Sequence, residues 1–266
     1  MVVLLGACGA SASLQSTAMT QKTNIAATCQ NQSDKGPLTV FATSSMTNVL
    51  TEIKEKYLSE HPCVSDLTFS FGSSSMLGSQ IKAGAPADVF IAASEETMQL
   101  VVGLQVGDIP MFARNGAEIM LFKDGQFIGK IDDLRDLMDV NNPGIKVGLC
   151  VSTAPCGAIA DDVLFAQNLS REAIVDTEAT SVQDLVTKIQ LGELDAGIVF
   201  KSDCVYALRH QTARCVGISQ TKDFSISSPY FSVQFNSNKN TTDWASFISS
   251  NSTKKMLQVS YGFLAP

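Results

Sequence analysis

The sequence predicts an α/β protein of two lobes facing each other across a cleft, on three observations. From Leu38 onward, short apolar runs of strand character alternate with stretches of helical period, the pattern of parallel sheets covered by helices on both faces. Short, uncharged loops rich in small residues open several of those helices. They fall into an early pair, Thr43-Ser44-Ser45 and Gly72-Ser73-Ser74-Ser75, and a late pair, Ala154-Pro155-Cys156-Gly157 and Thr180-Ser181-Val182. Ligands of such sheets sit beyond the carboxyl ends of the strands, so two lobes are the simplest arrangement that brings both pairs to one point.

In order along the chain, Leu38 to Ala42 reads as a buried strand. Met46, Val49, Leu50, Ile53 and Tyr57 then recur at helical spacing up to Pro62. Leu67 to Phe71 is the next strand and Ser74 to Ala83 the next helix. Gly84 and Pro86 punctuate the turn into a strand over Ala87 to Ala92. The second series has strands at Ile119 to Phe122 and Ile145 to Leu149, a helix from Cys156 to Gln167, and a strand at Ile174 to Asp176. A helix marked by Val182, Leu185, Val186 and Ile189 stops at Gly192, and Ala196 to Phe200 is a further strand. The tail, with a strand at Tyr230 to Phe235 and helices around Trp244 and Leu257, is expected to return to the first lobe. The predicted division is 37–115 plus 222–266 for the first lobe and 116–221 for the second.

Composition narrows the function. With 266 residues and 45% hydrophobic content, the chain can bury one large or two modest cores. A net charge of −7 argues against nucleic acid, whose binding needs a basic face. No apolar run reaches the roughly 18 residues that span a membrane. Residues 1–36 differ: Val2 to Ala7 is a short apolar run ending in Leu5-Gly6-Ala7-Cys8, similar to a lipoprotein signal with Cys8 as the lipidated residue. A Ser/Thr/Gln/Asn-rich tether follows. The chain would then lie outside the cytoplasm, touching the membrane only through Cys8.

Without Cys8, six of the seven cysteines remain, an even number that suits disulfides in an oxidising compartment. Proximity favours Cys150–Cys156 and Cys204–Cys215, leaving Cys29–Cys63. Zinc and free buried thiols are the competing readings. Zinc is disfavoured because no C-x-x-C pair exists and His61 and His210 lie far apart. The same scarcity of histidine disfavours cysteine nucleophiles, no phosphate-loop or dinucleotide fingerprint is present, and no enzyme activity or cofactor is expected.

The loops carry the functional reading. None contains Lys, Arg or His. A helix start offers unpaired N–H groups and the positive end of a dipole, which hold an anion without a cationic side chain. Ser45 and Ser74 could equally be ordinary N-caps, Val182 a core residue, Cys156 half of a disulfide, and Phe200 cleft-wall packing. Asp88 is expected to brace a turn.

Four stretches resemble the molybdate-binding proteins of ABC importers. They are Val40-Phe41-Ala42-Thr43-Ser44-Ser45-Met46-Thr47-Asn48, Phe71-Gly72-Ser73-Ser74-Ser75-Met76-Leu77, Gln80 through Ile91, and Gly197-Ile198-Val199-Phe200-Lys201-Ser202-Asp203. The resemblance runs in matching order from about Leu38 to Pro266. It implies the two-lobed, type II periplasmic binding-protein fold, a monomer, capture of molybdate and also tungstate, and delivery to a permease. Carried over by motif, the anion contacts fall on Ser45 and Ser74 (hydroxyl and N–H), Cys156 and Val182 (N–H), and Phe200. At position 200 the family commonly has a tyrosine whose hydroxyl donates to the anion; phenylalanine cannot. Ser152, Thr153 or Ser181 are candidate replacements. The second departure is the pair Cys150 and Cys156 bracketing the third loop. The alternatives are a receptor for another oxyanion (sulfate, phosphate or chromate) and a surface protein that keeps the fold without transport.

Overall fold

A computed structural model describes residues 36–103, 109–218 and 226–266 of the chain. Cys8, Cys29 and the tether lie outside the described residues.

The strands form two five-stranded sheets. The first holds β1 (Gly36–Thr43), β2 (Val64–Gly72), β3 (Val89–Ala92), β4 (Met111–Asn115) and β10 (Ser228–Gln234), in the order β2-β1-β3-β10-β4. The second holds β5 (Ala117–Phe122), β6 (Val147–Cys150), β7 (Thr177–Ala179), β8 (Ala196–Phe200) and β9 (Ala213–Gly217), in the order β7-β6-β8-β5-β9. The expectation of parallel sheets holds for part of each sheet, and the rest is a correction. β1 runs parallel to β2 and β3, and β6 to β7 and β8, but β10 is antiparallel to β3 and β4, and β5 to β8 and β9. The cause is the way the chain changes sheets. A single residue, Gly116, separates β4 from β5, so the chain leaves one sheet and enters the other without a crossover helix. β10 then begins at Ser228, paired directly with Asn115, the last residue of β4.

Helices cover both sheets: α1 (Thr47–Glu60), α2 (Ser74–Lys82), α3 (Glu95–Val102), α4 (Pro155–Ala166), α5 (Val182–Gln190), α6 (Lys201–His210), α7 (Lys239–Ser249) and α8 (Asn251–Tyr261). Their starts are chemically marked. Ser73, Ser94, Ser181, Asn238 and Ser250 each accept a first-turn N–H on the side chain, and α4 has proline at its first position. The tail does return to the first sheet. α7 packs on β1 and β10, and Trp244 is fully buried edge-on to Tyr57, with 4.9 Å between ring centroids. α8 packs against α6, where Arg209 donates to both carboxylate oxygens of Glu52 on α1 at 2.8 Å.

The strand expected at Ile174 to Asp176 is displaced to β7. Ile174 instead ends a 3-10 turn (Arg171–Ala173) and plugs the core at 5% exposure. Asp176 leads into the edge strand, its carboxylate accepting the Val147 N–H at 2.7 Å. Asp88 braces a turn as expected, accepting from the Thr39 N–H at 2.8 Å and from Asn236 Nδ2 at 2.9 Å. Cys150–Cys156 and Cys204–Cys215 are disulfides, with Cα atoms 5.6 and 5.9 Å apart. The sulfurs of Cys204 and Cys215, which with Glu118 cluster as metal ligands could, are thus bonded to each other. The expected Cys29–Cys63 pair lies outside the described residues through Cys29.

Candidate oxyanion site

Ser45 lies in a 3-10 turn (Ser44–Met46) between β1 and α1, and Ser74 is the first residue of α2. Neither is an N-cap. Met46 occupies that position for α1 without a side-chain bond, and Ser73 occupies it for α2, accepting from the Met76 N–H. The Ser74 hydroxyl oxygen instead accepts the Ala93 N–H at 3.0 Å, and the Ser45 hydroxyl meets the Tyr230 hydroxyl at 2.5 Å. Cys156 is the second residue of α4 and Val182 the first of α5. All five predicted positions are buried: Ser45, Ser74, Cys156, Val182 and Phe200.

The N–H groups of Ser45, Ser74, Cys156 and Val182 are first-turn donors that no carbonyl of their own helix reaches. None of them makes another hydrogen bond among the described residues. Four unpaired donors on four separate chain segments require a partner, since buried backbone groups are rarely left unsatisfied. The turn carrying Ser45 packs against α5, which brings it to the helix that opens at Val182. Phe200 lies edge-on to Tyr230, 6.2 Å between centroids, and Tyr230 in turn touches Ser45.

Next to several of these residues in sequence lies a cavity of about 640 Å³, lined by Ser75 of α2, Ala93 just after β3 and Ser228 of β10, and by Ser152, Thr153 and Pro155 where β6 leads into α4. It is bounded by neighbours of the predicted residues rather than by those residues. Glu95, Glu96 and Asp162 also reach it, so its electrostatics disfavour an anion there. Ser152 and Thr153 remain placed to donate into it. Ser181 is not free to the same degree, its oxygen accepting from the Asp184 N–H at 3.2 Å.

The third loop is held from both ends. The Cys150–Cys156 bridge ties β6 to the first turn of α4. Behind it, Arg171 donates to the Cys150 carbonyl and pairs with Asp161 at 2.5 Å and Glu178 at 2.8 Å. Burial alone would lower the Arg171 pKa, but these bonds and charges raise it, so the guanidinium stays charged and fully committed. Opening the bridge, with both cysteines replaced by serine, is expected to cost about 2 kcal/mol by the loop-entropy relation. Urea unfolding of C150S/C156S against the parent, without reductant, measures it.

Sequence reasoning missed Tyr230, Asn115, Ser228 and Arg171. Tyr230 was visible as the start of a strand. The available signal was its type, since a tyrosine on a buried strand face needs a polar partner for its hydroxyl. Asn115 and Ser202 offered no such signal. Asn115 Nδ2 donates to Ser202 Oγ at 2.8 Å and to the Tyr230 hydroxyl at 3.2 Å, across 87 and 115 residues of chain.

Two mixed sheets, each covered by helices and joined through Gly116, have the architecture of two-lobed solute-binding proteins. The chain belongs to the bacterial extracellular solute-binding proteins, whose family model matches residues 38–264. It is 32% identical over 170 residues to the molybdate-binding protein ModA of Mycobacterium bovis, an alignment spanning 63% of this chain and 62% of that relative. It is 27% identical over 246 residues to ModA of Haemophilus influenzae, spanning 86% and 90%. The periplasmic molybdate-binding protein of Azotobacter vinelandii shares the fold, with a TM-score of 0.70 at 19% identity over 86% of this chain and 99% of that one.

Proposed function

We propose that the chain captures a fully ionised tetrahedral oxyanion, molybdate and with it tungstate, and delivers it to an ABC permease outside the cytoplasm. In this reading the lobes are residues 37–115 plus 222–266 and residues 116–221, and the anion sits between them. Ser45 and Ser74 give it hydroxyl and N–H groups, and Cys156 and Val182 give N–H groups. The observation that carries the reading is the set of four unpaired helix-start donors without a cationic side chain. The names of the relatives supply the choice of molybdate within that class. The two disulfides accord with an oxidising compartment.

Donor-only chemistry discriminates in two ways. Sulfate presents the same oxygens on shorter bonds, so cavity size separates it from molybdate. Phosphate near neutral pH keeps a proton that needs an acceptor, and these N–H groups offer none. Phe200 favours the rival reading, a receptor for another oxyanion, because one hydroxyl donor is missing at that position. A hydrogen bond to a charged group is worth about 1.5–3 kcal/mol, enough to change the ranking of ligands.

A thermal-shift panel with molybdate, tungstate, sulfate, phosphate and chromate tests this. Molybdate and tungstate are expected to raise the melting temperature, since a ligand at a hundred times its Kd adds about 2.7 kcal/mol of stability. A rise with sulfate or phosphate alone would transfer the protein to the rival reading. No rise with any anion would remove the oxyanion reading altogether.

A further inference from the structure

Tyr230 is fully buried, and its ring is fixed edge-on against Phe112, Phe200 and Phe263. Its hydroxyl meets two polar atoms, Asn115 Nδ2 at 3.2 Å and Ser45 Oγ at 2.5 Å. The amide nitrogen fixes the direction of the first bond, and burial assigns that of the second. Ser202 orients the Asn115 amide: its N–H donates to Oδ1 at 3.3 Å, and its hydroxyl accepts from Nδ2 at 2.8 Å. Nδ2 therefore faces Tyr230, and an amide nitrogen only donates. The Tyr230 oxygen accepts there, and its own hydrogen, on a fully buried ring, has Ser45 Oγ as its acceptor among the described residues; we assign it to that bond, because otherwise it would be buried unpaired. Ser45 Oγ is then the acceptor of that bond, and its own hydrogen points away with no protein acceptor among the described residues. Burial holds the Tyr230 pKa above its ordinary value, so the hydroxyl keeps its proton.

We infer that Tyr230 is a positioning residue that turns Ser45 into a pure donor, so that the chain Asn115–Tyr230–Ser45 ends on the bound anion. The inference rests on the oxyanion reading and deepens it. Hydrogen bonds in series polarise one another, which strengthens the last donor. The device also selects. With Tyr230 donating to it, the Ser45 oxygen has less capacity to accept a proton from a partly protonated anion such as hydrogen phosphate. The Ser74 oxygen, occupied by the Ala93 N–H, is restricted in the same way.

The test is calorimetric titration of sodium molybdate and sodium phosphate into the parent, Y230F, S45A and Y230F/S45A. Y230F keeps the ring and its three aromatic contacts, and its melting temperature without ligand is the control for folding. Molybdate affinity is expected to fall about tenfold in Y230F, because the Ser45 hydroxyl loses the bond that aims and polarises its donor. The preference for molybdate over phosphate should narrow with it. On the S45A background the same substitution should change nothing, because Tyr230 acts through Ser45. Unchanged binding in Y230F would overturn the inference, and so would an equal loss in both backgrounds. A parent that binds no tetrahedral oxyanion would overturn the underlying reading as well, so the two failures are distinct.

Discussion

Replacing Gly157 with alanine is expected to destabilise the protein by about 3 kcal/mol or more and to remove anion binding with it. Gly157 is the third residue of α4, where the loop from β6 folds back over the helix start. A Cβ there would lie 2.0 Å from the Val151 carbonyl oxygen and 2.7 Å from that of Cys150. Both are backbone atoms, with no rotamer to escape to. Moving them would strain the Val151 N–H bond to the Ala179 carbonyl at 2.9 Å and the Ala154 N–H bond to the Val151 carbonyl at 2.9 Å. The Cys150–Cys156 bridge holds the same segment at both ends, so the clash cannot relax by sliding the helix. Gly217 is the control, because a Cβ there meets nothing within 4 Å among the described residues. Urea unfolding of G157A and G217A against the parent measures the difference. Equal midpoints for G157A and the parent would mean that the loop is far softer than its packing implies.

That close approach helps explain why the loops were legible in sequence. Small residues stand where backbone must pass near backbone or near a ligand, and such residues leave a pattern that a reader can see. Apolar runs such as Leu38–Ala42 and Ala196–Phe200 were equally plain, because strands buried on both faces are nearly continuous in hydrophobic residues. Strand direction was not. Whether β10 runs with or against β3 depends on where the chain changes sheets, and the one-residue link at Gly116 carries no mark of that. Edge strands hid for another reason: Thr177 and Glu178 are exposed, so β7 lacks an apolar signature, while the apolar pair before it ends a 3-10 turn.

Within the site, chain position was visible but hydrogen-bond direction was not. The sequence showed serines at helix starts. It did not show that Ser73 takes the capping role and so frees Ser74 for Ala93. The link from Asn115 to Tyr230 to Ser45 joins residues far apart in the chain, each of a type that is common without function. Such a network becomes readable only after the two sheets are placed.

Replacing Asp203 with asparagine is expected to stabilise the protein increasingly as pH rises from about 5 to 8. Asp203 lies in the first turn of α6, 3% exposed, with Oδ2 lacking a hydrogen-bond partner among the described residues. Burial pushes its pKa up from 3.8 to about 8, against a smaller opposing pull from a hydrogen bond with the Phe200 backbone. At neutral pH the folded protein therefore holds a proton here that the unfolded chain has lost. Protons bound in excess by the native state make stability fall with rising pH. The fall begins near pH 4, ends near pH 8, and has a slope of up to about 1.4 kcal/mol per pH unit. Asparagine keeps an acceptor for the Phe200 N–H and removes the titration. Urea unfolding of both proteins at pH 5, 6.5 and 8 should give curves that diverge toward the alkaline end, and parallel curves would show an ordinary carboxylate. The neutral form also serves the proposed site. Asp203 is three residues from Phe200, and an ionised carboxylate there would oppose the anion that the surrounding donors attract. A proton kept there would let an acidic residue sit close to the proposed site without adding a negative charge to it.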